Sequence, residues 1–106
     1  MEEKQVVNGL VVAQHNVSGE PIDQISRSFE AICEGPFEAT VSMGYEELFA
    51  MERFCNITLK ADLTMPCKMA DIPAAFQHCR KLLIDAVAPD IVEIKKRQAA
   101  IREAGK

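Results

Sequence analysis

A chain of 106 residues, 48% hydrophobic and 26% charged, has the length for one core and the composition of an ordinary globular domain rather than a disordered one. Its net charge of −4 excludes a surface that is a nucleic-acid footprint throughout, because phosphate binding needs clustered Lys and Arg. The charge is uneven: residues 1–92 hold 14 acidic and 7 basic residues, whereas 93–106 hold Lys95, Lys96, Arg97, Arg102 and Lys106 against Glu93 and Glu103.

The chain opens on Met1-Glu2-Glu3-Lys4 with no apolar stretch of the signal-peptide kind behind it, and no apolar run is long enough to span a bilayer. A cytoplasmic protein is the expectation, with Cys33, Cys55, Cys67 and Cys79 reduced. The Val-rich stretch 5–17, bounded by Ser18-Gly19-Glu20-Pro21, predicts a first strand near 6–14. Pro21 suits a first helical turn, and Ile22, Ile25, Phe29 and Ile32 recur at helical spacing, so a helix is predicted over 21–34, stopped by Gly35-Pro36.

The clearest pattern follows. Phe37, Ala39, Val41, Met43 and Tyr45 alternate with polar or small residues, and so do Cys55, Ile57, Leu59, Ala61, Leu63 and Met65. Period two in both stretches predicts an antiparallel pair with one face in the core and one in water. The connection 46–54 has no Gly, Pro or Asn and is not a simple tight turn. Beyond Pro66, Asp71 stands where a helix N-cap is needed, Pro73 fits the first turn, and Ile72, Phe76, Cys79, Leu83 and Val87 form an apolar stripe. Pro89 is expected to break or kink this helix, leaving 90–106 as a helical extension in which Ile91, Ile94 and Ile101 could form a dimer arm. The reading is one α+β domain in β-α-β-β-α order, a small antiparallel sheet packed by helices.

Little in the sequence carries reaction chemistry. The cysteines stand 22, 12 and 12 residues apart with no C-x-x-C pair, so no zinc site is expected. His15 and His78 belong to no local nucleophile signature, and Gly9, Gly19, Gly35, Gly44 and Gly105 form no phosphate-cradling loop. The expectation is therefore a non-enzymatic protein with no cofactor and no metal. Leu48, Phe49, Met51 and Phe54, with Arg53 among them, are a large apolar group for a connection, and mark the candidate protein-binding segment. The alternative is a single-stranded nucleic-acid binder contacting phosphates through Lys60, Lys95, Lys96, Arg97 and Arg102. A sheet of two or three strands leaves edges to be paired, so a homodimer is expected.

From Val41-Ser42-Met43-Gly44-Tyr45 through the strand ending Leu63-Thr64-Met65-Pro66-Cys67 and into the helix, residues 37–87 resemble small phage and prophage proteins of uncharacterised function. The turn at Glu46–Met51 departs from the Asn-Leu-Gly kind found in those proteins. The resemblance implies an accessory protein in a host cytoplasm that occupies the surface of another protein, including one of host defence, or else attends phage replication or recombination.

Overall fold

The computed structural model describes residues 4–105; Lys106 of the basic tail lies outside them. Four strands, β1 (Lys4–Val17), β2 (Glu20–Glu34), β3 (Ala39–Ala50) and β4 (Cys55–Cys67), are followed by a 3-10 turn at Met69–Asp71 and one helix, α1 (Ile72–Ala104). The sheet is antiparallel throughout, in the order β2-β1-β4-β3.

The order β-β-β-β-α corrects the expected β-α-β-β-α. Residues 20–34 are a strand paired along its length with β1, not a helix. Two features outweigh the helical spacing of Ile22, Ile25, Phe29 and Ile32. Ser18 and Gly19 both have positive φ, +53° and +83°, which makes the two-residue hairpin turn whose twist suits antiparallel strands. The β-branched isoleucines then favour extended backbone, where their χ1 is not crowded by a preceding turn. On the strand those four residues no longer share a face, and Ile22, Ile25 and Ile32 are exposed.

The strands expected from alternation lie where β3 and β4 are. Val41, Phe49, Ile57, Leu59, Ala61, Leu63, Met65 and Cys67 are buried on one face, while Thr40, Ser42, Lys60, Asp62 and Thr64 are exposed on the other. In register, Val11 lies opposite Ala61 and Ala13 opposite Leu59, so the odd-numbered residues of β1, β3 and β4 share the covered face. α1 covers it by laying Ala75, Cys79, Leu83, Val87 and Ile94 against β3 and β4, and reaches β1 only slightly. Over β1 and β2 the helix packs more loosely: Val11, Ala31 and Cys33 are buried beneath it, whereas Ile22 and Ile25 stay exposed.

α1 is a single helix of 33 residues, about 50 Å long at 1.5 Å per residue, and runs through Pro89 without the expected break. Pro89 has no N–H to donate, which disturbs the hydrogen bonding of the preceding turn. The Arg27 guanidinium on β2 donates to the Ala86 carbonyl in that turn and also to the Asp90 carboxylate. One side chain therefore partners a backbone acceptor beside the proline and ties β2 to α1. Asp71 occupies the N-cap position of α1 but its side chain makes no capping bond, and Pro73 sits in the first turn as expected.

The described residues span 62 × 23 × 18 Å, with a radius of gyration of 17.2 Å. A compact domain of this length has about 13 Å. The elongation follows from the long strands and the single long helix beside them.

Candidate functional site at the turn end of the sheet

One end of the molecule gathers the β1–β2 turn, the β3–β4 turn and the last turns of α1. The two strand turns are joined directly, by the Ser18 N–H donating to the Phe54 carbonyl at 2.7 Å. The β3–β4 connection is held by Met51 N–H to the Cys55 carbonyl at 3.0 Å and Cys55 N–H to the Glu52 carbonyl at 2.9 Å. α1 is fastened there by Gln98, whose side-chain amide donates to the Ala50 carbonyl at 2.8 Å.

Phe54 has a φ of +65°, a left-handed conformation that is uncommon for a bulky side chain. Its ring is 68% exposed, with the Arg53 guanidinium stacked over it at 5.2 Å. Leu48, 63% exposed, projects from the uncovered sheet face. Ser18, Gly19, Ala50 and Cys55 lie with these two side chains around a shallow depression. On the opposite face, Val17, Ile22, Met51, Ile57 and Ile101 line an apolar groove of about 460 Å³ between α1 and the sheet, with His15, Glu52 and Arg97 also in its wall. The groove continues toward Arg27 past Ala13, Ile25 and Ile94.

Of the five residues expected to bind protein, Leu48, Arg53 and Phe54 are exposed and Met51 is half-buried in the groove wall. Phe49 is different. It lies on the covered face opposite Ile57, only 6% exposed, and belongs to the core. Its alternation with Leu48 makes this intelligible, since β3 extends to Ala50 and carries the face assignment of Val41 and Met43 with it. Residues the sequence did not mark are Val17, Ile22 and Ile25, because a helix over 21–34 would have buried the isoleucines. The Ser18-Gly19 pair was the signal that would have placed them on a hairpin.

The five cations of the nucleic-acid alternative are not brought to one surface. Lys60 alternates with the buried Leu59 and Ala61, on the face of β4 away from α1. Lys95, Lys96 and Arg97 are consecutive on α1 and diverge by a hundred degrees or so each at 3.6 residues per turn, while Arg102 lies beyond them in the last turn. Arg97 also faces Glu93, with Nε 4.0 Å from its carboxylate.

The uncovered face carries a polar cluster near the turn end. Asn16 Nδ2 donates to Asn56 Oδ1 at 2.7 Å and to Thr58 Oγ1 at 3.1 Å, and Gln14 Nε2 donates to Asn16 Oδ1 at 2.9 Å. The two bonds from Asn16 Nδ2 cross from β1 to β4 and fix their register near the turn end, and the Gln14 bond within β1 holds the Asn16 side chain for them. No described buried side-chain N or O lacks a partner.

The cysteines are all reduced, and Cys33, Cys67 and Cys79 are buried near the other end of the sheet. Burial raises the Cys79 thiol, with a smaller contribution from Cys33, and raises Cys33, with a smaller contribution from Cys67. Both changes disfavour the nucleophilic thiolate. Cys79 points at the Leu63 carbonyl, Sγ 3.6 Å away, while His78 beside it in sequence is exposed. Among the described residues no three His, Cys, Asp or Glu side chains are grouped to hold a metal. Nor is any described helix long and apolar enough to cross a membrane.

No family model, curated protein or solved structure matches this chain. Its site is therefore read from its own geometry. Apolar side chains sit on both faces of one end, around two hydrogen-bonded turns. That arrangement suits capture of an apolar side chain or a short segment of another protein.

Proposed function

We propose that this is a non-enzymatic accessory protein of the cytoplasm that acts by binding another protein through the turn end of its sheet. The observation that carries the reading is the apolar exposure concentrated there. Phe54 and Leu48 project outward, and Ile22, Met51 and Ile101 line a groove large enough for one or two side chains. Exposed aromatic and aliphatic anchors beside a pocket are the usual energetic centre of a protein interface. Arg53, stacked on Phe54, adds a cation at the same point.

The likeness of residues 37–87 to small phage proteins makes a host protein, including one of host defence, the partner class we propose. Binding there would inhibit such a partner by covering its surface.

The reading is tested by capture from host lysate with the wild-type chain and with a Leu48→Ala, Phe54→Ala variant. Both side chains are exposed, so the far-ultraviolet circular dichroism should be unchanged. A protein retained by the wild type should be lost at least tenfold with the variant. Equal retention by both would remove this end of the sheet as the binding site.

A further inference from the structure

The outer edge of β2 is unpaired along a strand of 15 residues, and from Glu20 to Ser28 every residue is exposed. An exposed, unpaired edge of this length is a template for another strand. β2 differs from the other edge strand in its charges. Between Ala39 and Ala50, β3 carries only Glu46 and Glu47, both of one sign, whereas β2 carries Glu20, Glu30 and Glu34 toward its ends and, at its exposed centre, Asp23 and Arg27 on the same face, each two residues from Ile25.

We propose that two copies of this chain associate by antiparallel pairing of β2 with β2, about a two-fold axis through Ile25. Such an axis stands perpendicular to the sheet and keeps like faces together, so the residues set opposite one another must sum to an even number, here 50. Ile25 then meets Ile25 of the second copy, Gln24 meets Ser26, and Asp23 meets Arg27 twice, while Glu20 and Glu30, which this register would also set opposite each other, stay apart because Pro21 and the neighbouring bulge end the regular edge before Glu20. A strand carrying Asp and Arg equidistant from a central apolar residue is self-complementary, as an isologous interface requires. Directly opposed opposite charges support a strand pair, and like charges oppose it.

The same face already holds Arg27 against Asp90 of α1, so Asp23 of the second copy joins an existing ion pair. Ile25, 62% exposed in the single chain, becomes covered. Pro21 and the bulge between His15 and Asn16 end the regular edge toward the turn, which confines the seam. The association is therefore reversible rather than permanent. It brings the two β1–β2 hairpins side by side. The two grooves then open on one side of an eight-stranded sheet. This inference goes beyond the partner-binding reading, and stands or falls without it.

Sedimentation of the purified chain over a concentration series should show a monomer–dimer equilibrium. Asp23→Arg, which sets Arg against Arg twice, should raise the dissociation constant at least tenfold. In a Cys55→Ser background, mild oxidation should link Ile25→Cys into a disulfide dimer, while Ser42→Cys on the β3 edge stays monomeric. A chain that sediments as a monomer at every concentration, and whose Ile25→Cys variant does not cross-link, overturns the proposal. So does a dimer that cross-links through Ser42→Cys and not through Ile25→Cys.

Discussion

Gly9 on β1 lies directly opposite Phe29 on β2, and the phenyl ring folds across the space a side chain would fill. A Cβ built on Gly9 would stand 2.1 Å from Phe29 Cζ and 2.4 Å from Cε1. Carbon atoms in contact need about 3.5 Å or more, so in Gly9→Ala the ring has to withdraw by roughly 1.5 Å. The ring is half-buried, and half of the stabilisation from burying a large apolar side chain is about 1 kcal/mol. Leaving its rotamer costs about 0.5–1.5 kcal/mol more. Against this, replacing Gly by Ala inside a strand recovers roughly 0.5–1 kcal/mol. Gly9→Ala should therefore destabilise the fold by about 1 kcal/mol. In a Phe29→Ala background, where no ring is displaced, the same change should stabilise it by roughly 0.5–1 kcal/mol.

The coupling between the two sites is then about 1.5–2 kcal/mol, within the range seen for residues in contact. Urea unfolding of the four chains followed by circular dichroism measures it. A 1 kcal/mol change moves the midpoint by about 0.5 M for a domain of this size. If Gly9→Ala shifts the midpoint in the same direction and by the same amount in both backgrounds, the ring is not what occupies that space.

Three further outcomes are expected. Leu59, fully buried between sheet and helix, should cost about 2–5 kcal/mol when cut to Ala, read as a lowered urea midpoint; a loss under 1 kcal/mol would mean the helix does not seal that face. Phe54→Gly should relieve a left-handed bulky residue and raise the thermal midpoint slightly, while abolishing partner capture; a lowered midpoint would show that the exposed ring supports the fold. Tyr45, the one tyrosine in the chain, is pushed up to about 12 by burial first and then by its hydrogen bond to Glu47 and that carboxylate's charge. Its raised value means that the unfolded chain loses this proton first, so the stability it lends is complete below about pH 10 and drains away as pH rises toward 12. Tyrosinate absorbance should follow this ionisation alone, and Glu47→Gln should lower its midpoint without returning it fully to the ordinary value; a midpoint near 10 in the wild type would contradict the burial.

The legible part of this fold was the part where one face is buried and the other wet. β3 and β4 alternate because α1 covers a single face of each, and the stripe of α1 is visible for the same reason. β2 was not legible because every residue from Glu20 to Ser28 is exposed, so no buried face imposes alternation on it. Its isoleucines answer to no core and fall at a spacing that happens to match a helix. Pro89 misled for a different reason. Interior prolines usually disrupt a helix, yet α1 runs through Pro89, and the turn before it is bound through the Ala86 carbonyl by Arg27 from a strand 59 residues earlier, a contact no local pattern can announce. For the site, the apolar connection at 46–54 was visible as composition. Phe49 could be assigned to the core only by carrying the alternation of β3 four residues beyond Tyr45.

The strand order has a consequence for how the chain comes apart. β1 and β2 form one hairpin, β3 and β4 another, and α1 is packed chiefly on the second. The two halves meet along Leu10–Val17 and Cys55–Asp62, a seam of eight residue pairs secured at one end by the Asn16 amide. Lys4 to Gly9, by contrast, are paired with β2 alone. The protein is thus two hinged leaves of unequal strength, the second backed by a helix and the first held to it by this seam and by Arg27. Amide exchange in β1 should report the opening of that hinge before it reports the loss of the fold.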